Sequence, residues 1–239
     1  MDSSIFEQKI IQPQSIVTDK RVLWMGILSI VAAIGCVAAD LILQYDPQGN
    51  YSLMTPAPIN IAPWRVYVGT YLGVFCIPLE IAGYWVVCTI LSETMPRIFK
   101  PLFWVIAYSI VIGTVFHSMT LAIILVAQAA HNASGVFQTS LLQLQTTLFV
   151  FTLPLAIFFE LVYLVMWSVV AVIVLRTTTR YPKWIILFIP ALGSIVIAGV
   201  GQSHIVPVLG NVLYPTVLSL PHFVFFLLST IILWRRPNI

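Results

Sequence analysis

The sequence predicts an all-α fold, a polytopic bundle of six transmembrane helices forming a single domain over residues 1–239. Three observations carry that prediction. Apolar residues make up 60% of the chain and charged ones only 8%, with a mean hydropathy of +1.01, whereas soluble domains carry about 25% charged residues. Apolar stretches near the length of about 20 residues that spans hydrocarbon fall at 22–44, 66–92, 102–128, 146–175, 183–201 and 210–234. Basic residues gather in alternate connections between those stretches, which gives the bundle an orientation.

The first twenty residues contain Asp2, Glu7, Lys9, Asp19 and Lys20 and lack the basic-then-apolar layout of a cleaved signal peptide. The first span is also too long for a signal core, so it reads as a retained helix. Residues 5–11, "IFEQKII", read either as a short interfacial helix or as a disordered tail. The connection at 45–65 is rich in Pro, Gly and Asn and predicts irregular structure, with Trp64 and Tyr67 as interfacial anchors. Cys36, Cys76 and Cys88 lie inside spans, so they predict packing roles and no disulfide framework.

Of eleven Lys and Arg residues, ten fall on one side of the six-span arrangement. Lys9, Lys20 and Arg21 precede the first span, Arg97 and Lys100 follow the second, and Arg176, Arg180 and Lys183 follow the fourth. Arg235 and Arg236 follow the last. Arg65 alone lies on the other side. Positive charge is retained in the cytoplasm, so both termini are expected there, as in a bacterial inner-membrane protein. The net charge of +3 is accounted for by this distribution and implies no nucleic-acid partner.

A weak internal repeat relates "SIVIGTVFHS" (109–118) to "SIVIAGVGQS" (194–203). It predicts two parallel hairpins, spans 2–3 and 4–5. Pro78, Pro154 and Pro221 each fall near mid-depth of an inward-running span. Each removes a backbone donor, and three kinks at one depth would splay the outer halves into a cavity.

The ionisable residues inside the spans are Asp40, Glu80, His117, Glu160 and His222, with Gln128, Gln202, His204, Asn211 and Tyr214 as a polar rim. A charge in hydrocarbon is costly, so such residues face one another or water. Each has a plain packing alternative: Asp40 as an interfacial group, His117 bonded beside Ser118, Glu160 with Tyr163, and Glu80 with Tyr84 at i,i+4. Their recurrence at matched depth on different helices favours a common site. Tyr84, Trp85, Tyr163 and Trp167 supply aromatic faces for a substrate, together with Asn211 and Tyr214. The His and carboxylate spacings match no metal-binding signature, and no span carries a lysine suited to a Schiff base. No metal and no cofactor are therefore expected.

The segments "AADLILQYDP" (38–47), "GTYLGVFCIPLEIAGYW" (69–85), "VIGTVFHS" (111–118), "FELVY" (159–163) and "GNVLYPTVLSLPHF" (210–223) resemble a family of small bacterial membrane proteins recognised only as a domain of unknown function. The resemblance runs through nearly the whole chain. It implies a six-helix fold and draws attention to Asp40 and His117. In that family the histidine typically follows Tyr, whereas here the sequence reads Phe116-His117-Ser118. The resemblance implies no activity.

The chemistry of the five residues predicts an acid–base site acting on a lipid or isoprenoid, cyclase- or isomerase-like. A carboxyl held neutral by an apolar setting can protonate an alkene, and aromatic faces can stabilise a cation. Glu80 or Glu160 would be the acid and His117 or His222 the base. Membrane-bound terpene cyclases of similar size offer an analogy without a motif match. A membrane sensor or accessory binding protein and a proton-coupled transporter are the competing readings. The bilayer is the expected partner; the sequence does not determine an oligomeric state.

Overall fold

A computed structural model of the protein describes residues 20–46, 61–202 and 207–235. The interfacial helix expected at 5–11, most of the irregular 45–65 connection, His204 and the side chain of Gln202 lie outside the described residues. Among the described residues there is no strand. The helices are α1 (Lys20–Gln44), α2 (Pro63–Leu79), α3 (Ile81–Ser92), α4 (Pro96–His131), α5 (Gly135–Arg176), α6 (Pro190–Gln202), α7 (Pro207–Leu213) and α8 (Ser219–Arg235), with 3-10 turns at Lys183–Phe188 and Tyr214–Thr216. Four helical runs are long and apolar enough to cross a membrane: α1, α2 with α3, α4 and α5. A fifth is present if the pair Gly210–Thr216 and Ser219–Arg235, bent by 76°, is one span. By length and composition the chain is a multi-pass membrane protein.

Several boundaries differ from those expected from hydropathy. The α5 helix begins at Gly135 rather than 146 and continues for 42 residues, about 63 Å at 1.5 Å per residue. Hydropathy falls in the Gln- and Thr-rich stretch 138–147, but nothing there breaks a helix, so the helix outruns its apolar run. Gly135, with φ of 61°, supplies the left-handed residue that turns α4 back into α5.

The expected fifth span is assembled from two pieces. Ile189 is held extended at φ −60° and ψ 139° because the following Pro190 disfavours the helical conformation at the residue before it. The 3-10 turn therefore ends there and α6 starts afresh with 13 residues. This pair of unequal pieces differs from the continuous 36 residues of α4, and the helix boundaries do not confirm the expected hairpin repeat.

The three prolines also behave differently from one another. Pro154 is accommodated within an unbroken α5. Pro78 precedes a tightening at Glu80, whose N–H bonds to the Ile77 carbonyl in an i→i−3 step at 3.1 Å, dividing α2 from α3. Pro221 stands in the first turn of α8, where its missing donor is not needed, and the bend lies just before it.

Two apolar clusters frame the bundle. The larger unites α3, the C-terminal half of α5 and α8, with Trp167, Phe225 and Phe226 fully buried. The smaller joins Leu43, Ile61, Val66 and Ile124 at the opposite end. Near that end Arg65 donates to the carbonyls of Ile42 and Tyr45, both at 2.7 Å. The guanidinium thus caps the C-terminal end of α1, where orphan carbonyls and the helix dipole favour a cation. That contact gives a structural reason for the one basic residue outside the common pattern.

Candidate functional site

Between the two clusters lies a cavity of about 190 Å³. The chain builds it from α1, α2, the α2–α3 break, α4, α5 and the bend before α8. Asp40, Glu80, His117, Glu160 and His222 all line it. The five intramembrane ionisable residues singled out in the sequence therefore share one void, although they come from five different parts of the chain.

Local structure explains how each arrives. In α2, Gly73, Ile77 and Glu80 follow at i, i+4 and i+7, which places them on one helix face. Glu80 sits at the α2–α3 break and is 6% exposed. Gly69 and Gly73 form a small-xxx-small pair of the kind that lets membrane helices approach closely. A methyl group on Gly69 would meet the Leu43 side chain and the Ala39 carbonyl of α1, while one on Gly73 would collide with the His117 ring. Bare backbone at Gly73 thus makes the space in which the imidazole lies.

Asp40 accepts a 2.6 Å hydrogen bond from the Ser219 hydroxyl, which ties α1 to the start of α8. His222 is held on both sides. Its Nδ1 lies 2.9 Å from the Leu218 carbonyl, which can only accept, so Nδ1 carries the proton. Nε2 consequently accepts from the Tyr84 hydroxyl. Glu80 Oε2 is 3.8 Å from Nδ1, too far for a hydrogen bond, because that donor is already committed. His222 is thereby fixed as one neutral tautomer, with both nitrogens satisfied.

Four buried side-chain polar atoms among the described residues lack a hydrogen-bond partner: Thr70 Oγ1, Glu80 Oε1, His117 Nε2 and Trp167 Nε1. Glu80 and His117 belong to the cavity lining. Buried polar groups are ordinarily satisfied; His117 Nε2 lies against the backbone of Gly73, so Glu80 Oε1 is the atom that a group bound in the void could complete.

The expected aromatic wall is placed differently. Tyr84, Trp85, Tyr163, Trp167, Asn211 and Tyr214 are absent from the cavity lining. Tyr84, Tyr163 and Trp167 instead form a layer behind His222, with ring centroids 5.7, 5.4 and 6.4 Å from the imidazole. Tyr163 also meets the Ser194 hydroxyl at 3.2 Å. Trp85 packs partly buried against the larger cluster, and Tyr214 is buried in its 3-10 turn. The aromatic residues in the wall are Phe116 and Phe159, neighbours in sequence of His117 and Glu160. Adjacency to those two was the available signal. The Gly69/Gly73 spacing could likewise have flagged the His117 seat. Ser219 and Cys36, both lining residues, carried none.

Among the described residues no three His, Cys, Asp or Glu side chains are grouped to hold a metal ion. The lining formed by the described residues also contains no Lys or Arg. Three carboxyls and two imidazoles in a largely apolar void can exchange protons and can stabilise positive charge, but they supply no permanent cation.

A helical membrane protein with an acid–imidazole cavity is the class these features define. The chain belongs to a family of unknown function (DUF6796), whose model matches residues 8–236. No curated protein and no solved structure matches it.

Proposed function

We propose that the cavity is an acid–base site acting on an uncharged, lipid-soluble substrate, an isoprenoid or other lipid carrying a double bond. Glu80 gives a proton from its free oxygen to one alkene carbon, leaving a carbocation at the other. His117 then removes a proton from a neighbouring carbon, and the double bond reforms in a new position or within a ring. One proton enters and one leaves, so the product is an isomer and no oxidant or co-reactant is required. The enzyme is reset when the proton returns from His117 to Glu80. His222 is committed to Tyr84 and Leu218, which favours His117 as the base. Phe116 and Phe159 present faces that attract a cation.

The observation that carries this reading is the orphaned Glu80 Oε1 together with the His117 imidazole, on residues that line one cavity. The packed cluster around Trp167 and Phe225 supports a chemical site over a continuous proton path. A sensor role has no specific observation in its favour.

The finer topology belongs to the same proposal: six spans, both termini cytoplasmic. The 3-10 turn and α6 together rise about 30 Å, the thickness of the hydrocarbon core. The Arg180–Glu93 ion pair, 3.0 Å long, joins the two turns assigned to the cytoplasmic side. With this orientation the cavity occupies the outer half of the bilayer.

The test is exchange with solvent. Full-length protein in nanodiscs made from extracted host lipids is incubated in D2O, and neutral lipids are analysed by mass spectrometry. Wild type should place deuterium at carbon in an isoprenoid or unsaturated lipid, and Glu80→Gln of unchanged melting temperature should not. Equal incorporation by both proteins, or none by wild type, refutes the proposal.

A further inference from the structure

We infer that the same cavity binds the protonated head of an aliphatic amine, an organic cation with an apolar tail. The inference uses the site described above but needs no turnover.

The sign of charge is the first argument. Asp40, Glu80 and Glu160 line the void and, among the described residues, no Lys or Arg does, so phosphate, diphosphate or carboxylate head groups find no fixed cation there. Hydrogen-bond capacity is the second. His222 cannot donate into the void, since its one proton goes to Leu218. Glu80, 6% exposed, keeps a buried oxygen with no partner, and Asp40 and Glu160 add carboxyl oxygens on the same lining. A protonated amine carries three donors and no acceptor, so it can satisfy Glu80 directly and offers its remaining donors to the other two carboxyl residues of the lining. An amine that enters neutral takes up the proton that Glu80 holds, and the resulting charge-assisted N–H···O contact is about twice as strong as a neutral one.

The third argument is the wall. Leu43, Ile77, Phe116 and Phe159 suit an alkyl chain, and the two rings suit a cation at their faces. The absence of a three-ligand metal cluster among the described residues directs the positive charge to an organic carrier. The volume of about 190 Å³ compares with about 150 Å³ for a dry engineered cavity that admits benzene, so a head group and a short alkyl segment fit within it.

Octylamine is the probe, with octanol and octyl phosphate as chain-matched controls. Binding is read as the shift in melting temperature of the full chain in neutral detergent. Octylamine should give a saturable upward shift, octanol a smaller one and octyl phosphate none. Glu80→Gln should weaken octylamine binding about tenfold, while Glu93→Gln, on the turn between α3 and α4, should leave it unchanged. If Glu80→Gln does not fold, Ala156→Leu fills the void with all carboxyls intact and should abolish the octylamine shift. A shift of equal size with octyl phosphate, or an octylamine shift that survives whichever cavity variant folds, overturns the inference. Amine binding without deuterium incorporation would refute the enzymatic reading alone. Incorporation without amine binding would refute this one alone.

Discussion

The ring of His117 rests against the backbone of Gly73, in the position a side chain on that residue would occupy. The contact joins α4 to α2 and sets the imidazole within the cavity wall. A glycine two turns before Glu80, on the same helix face, thereby decides whether the acid and the imidazole share a void.

Gly73→Ala should displace His117. Overpacking of this kind typically costs about 1–3 kcal/mol, so the melting temperature should fall and deuterium incorporation should fall with it. His117→Ala in the Gly73→Ala background relieves the clash and should recover stability without recovering exchange. A double variant no more stable than Gly73→Ala would count against the contact.

Tyr84→Phe removes the donor to His222 Nε2 while keeping the ring among Trp167 and Phe226, whose centroids lie 5.7 and 5.6 Å away. A buried acceptor left without its partner costs about 1–3 kcal/mol. The variant should therefore melt lower with its helical content unchanged. Its deuterium incorporation should persist, because His117 and not His222 removes the proton. Lost exchange in a stably folded Tyr84→Phe protein would reassign the base to His222.

Arg65→Ala withdraws two 2.7 Å bonds from the end of α1. Hydrogen bonds to a charged group contribute about 1.5–3 kcal/mol, so a clear loss of stability is expected. Orientation should not change, since removing the single outer basic residue only steepens the charge bias across the membrane. A glycosylation or protease-protection map that inverts in this variant would contradict the assignment of sides.

Cysteines placed at Ser134 and Thr178 report the sides directly. Both positions lie in turns, between α4 and α5 and after α5. In intact cells an impermeant maleimide should label Ser134→Cys and spare Thr178→Cys. The opposite pattern would invert the proposed topology.

The membrane class and the five ionisable residues that line the cavity were legible in the sequence. Length and hydropathy of the apolar runs mark helices that can cross a bilayer, because in hydrocarbon the backbone must satisfy itself along the chain. The same solvent makes Asp40, Glu80, His117, Glu160 and His222 conspicuous, since a polar group there is costly wherever it sits. Tertiary structure decided the rest. The Tyr84–His222 and Asp40–Ser219 bonds join residues 138 and 179 positions apart, beyond the reach of any local pattern. The length of α5 and the break before α6 escaped hydropathy because backbone conformation, not solvent preference, sets them. The aromatic residues moved from the wall to the layer behind His222 because the packing angles of three helices determine which ring faces the void, and one-dimensional spacing carries no information about those angles.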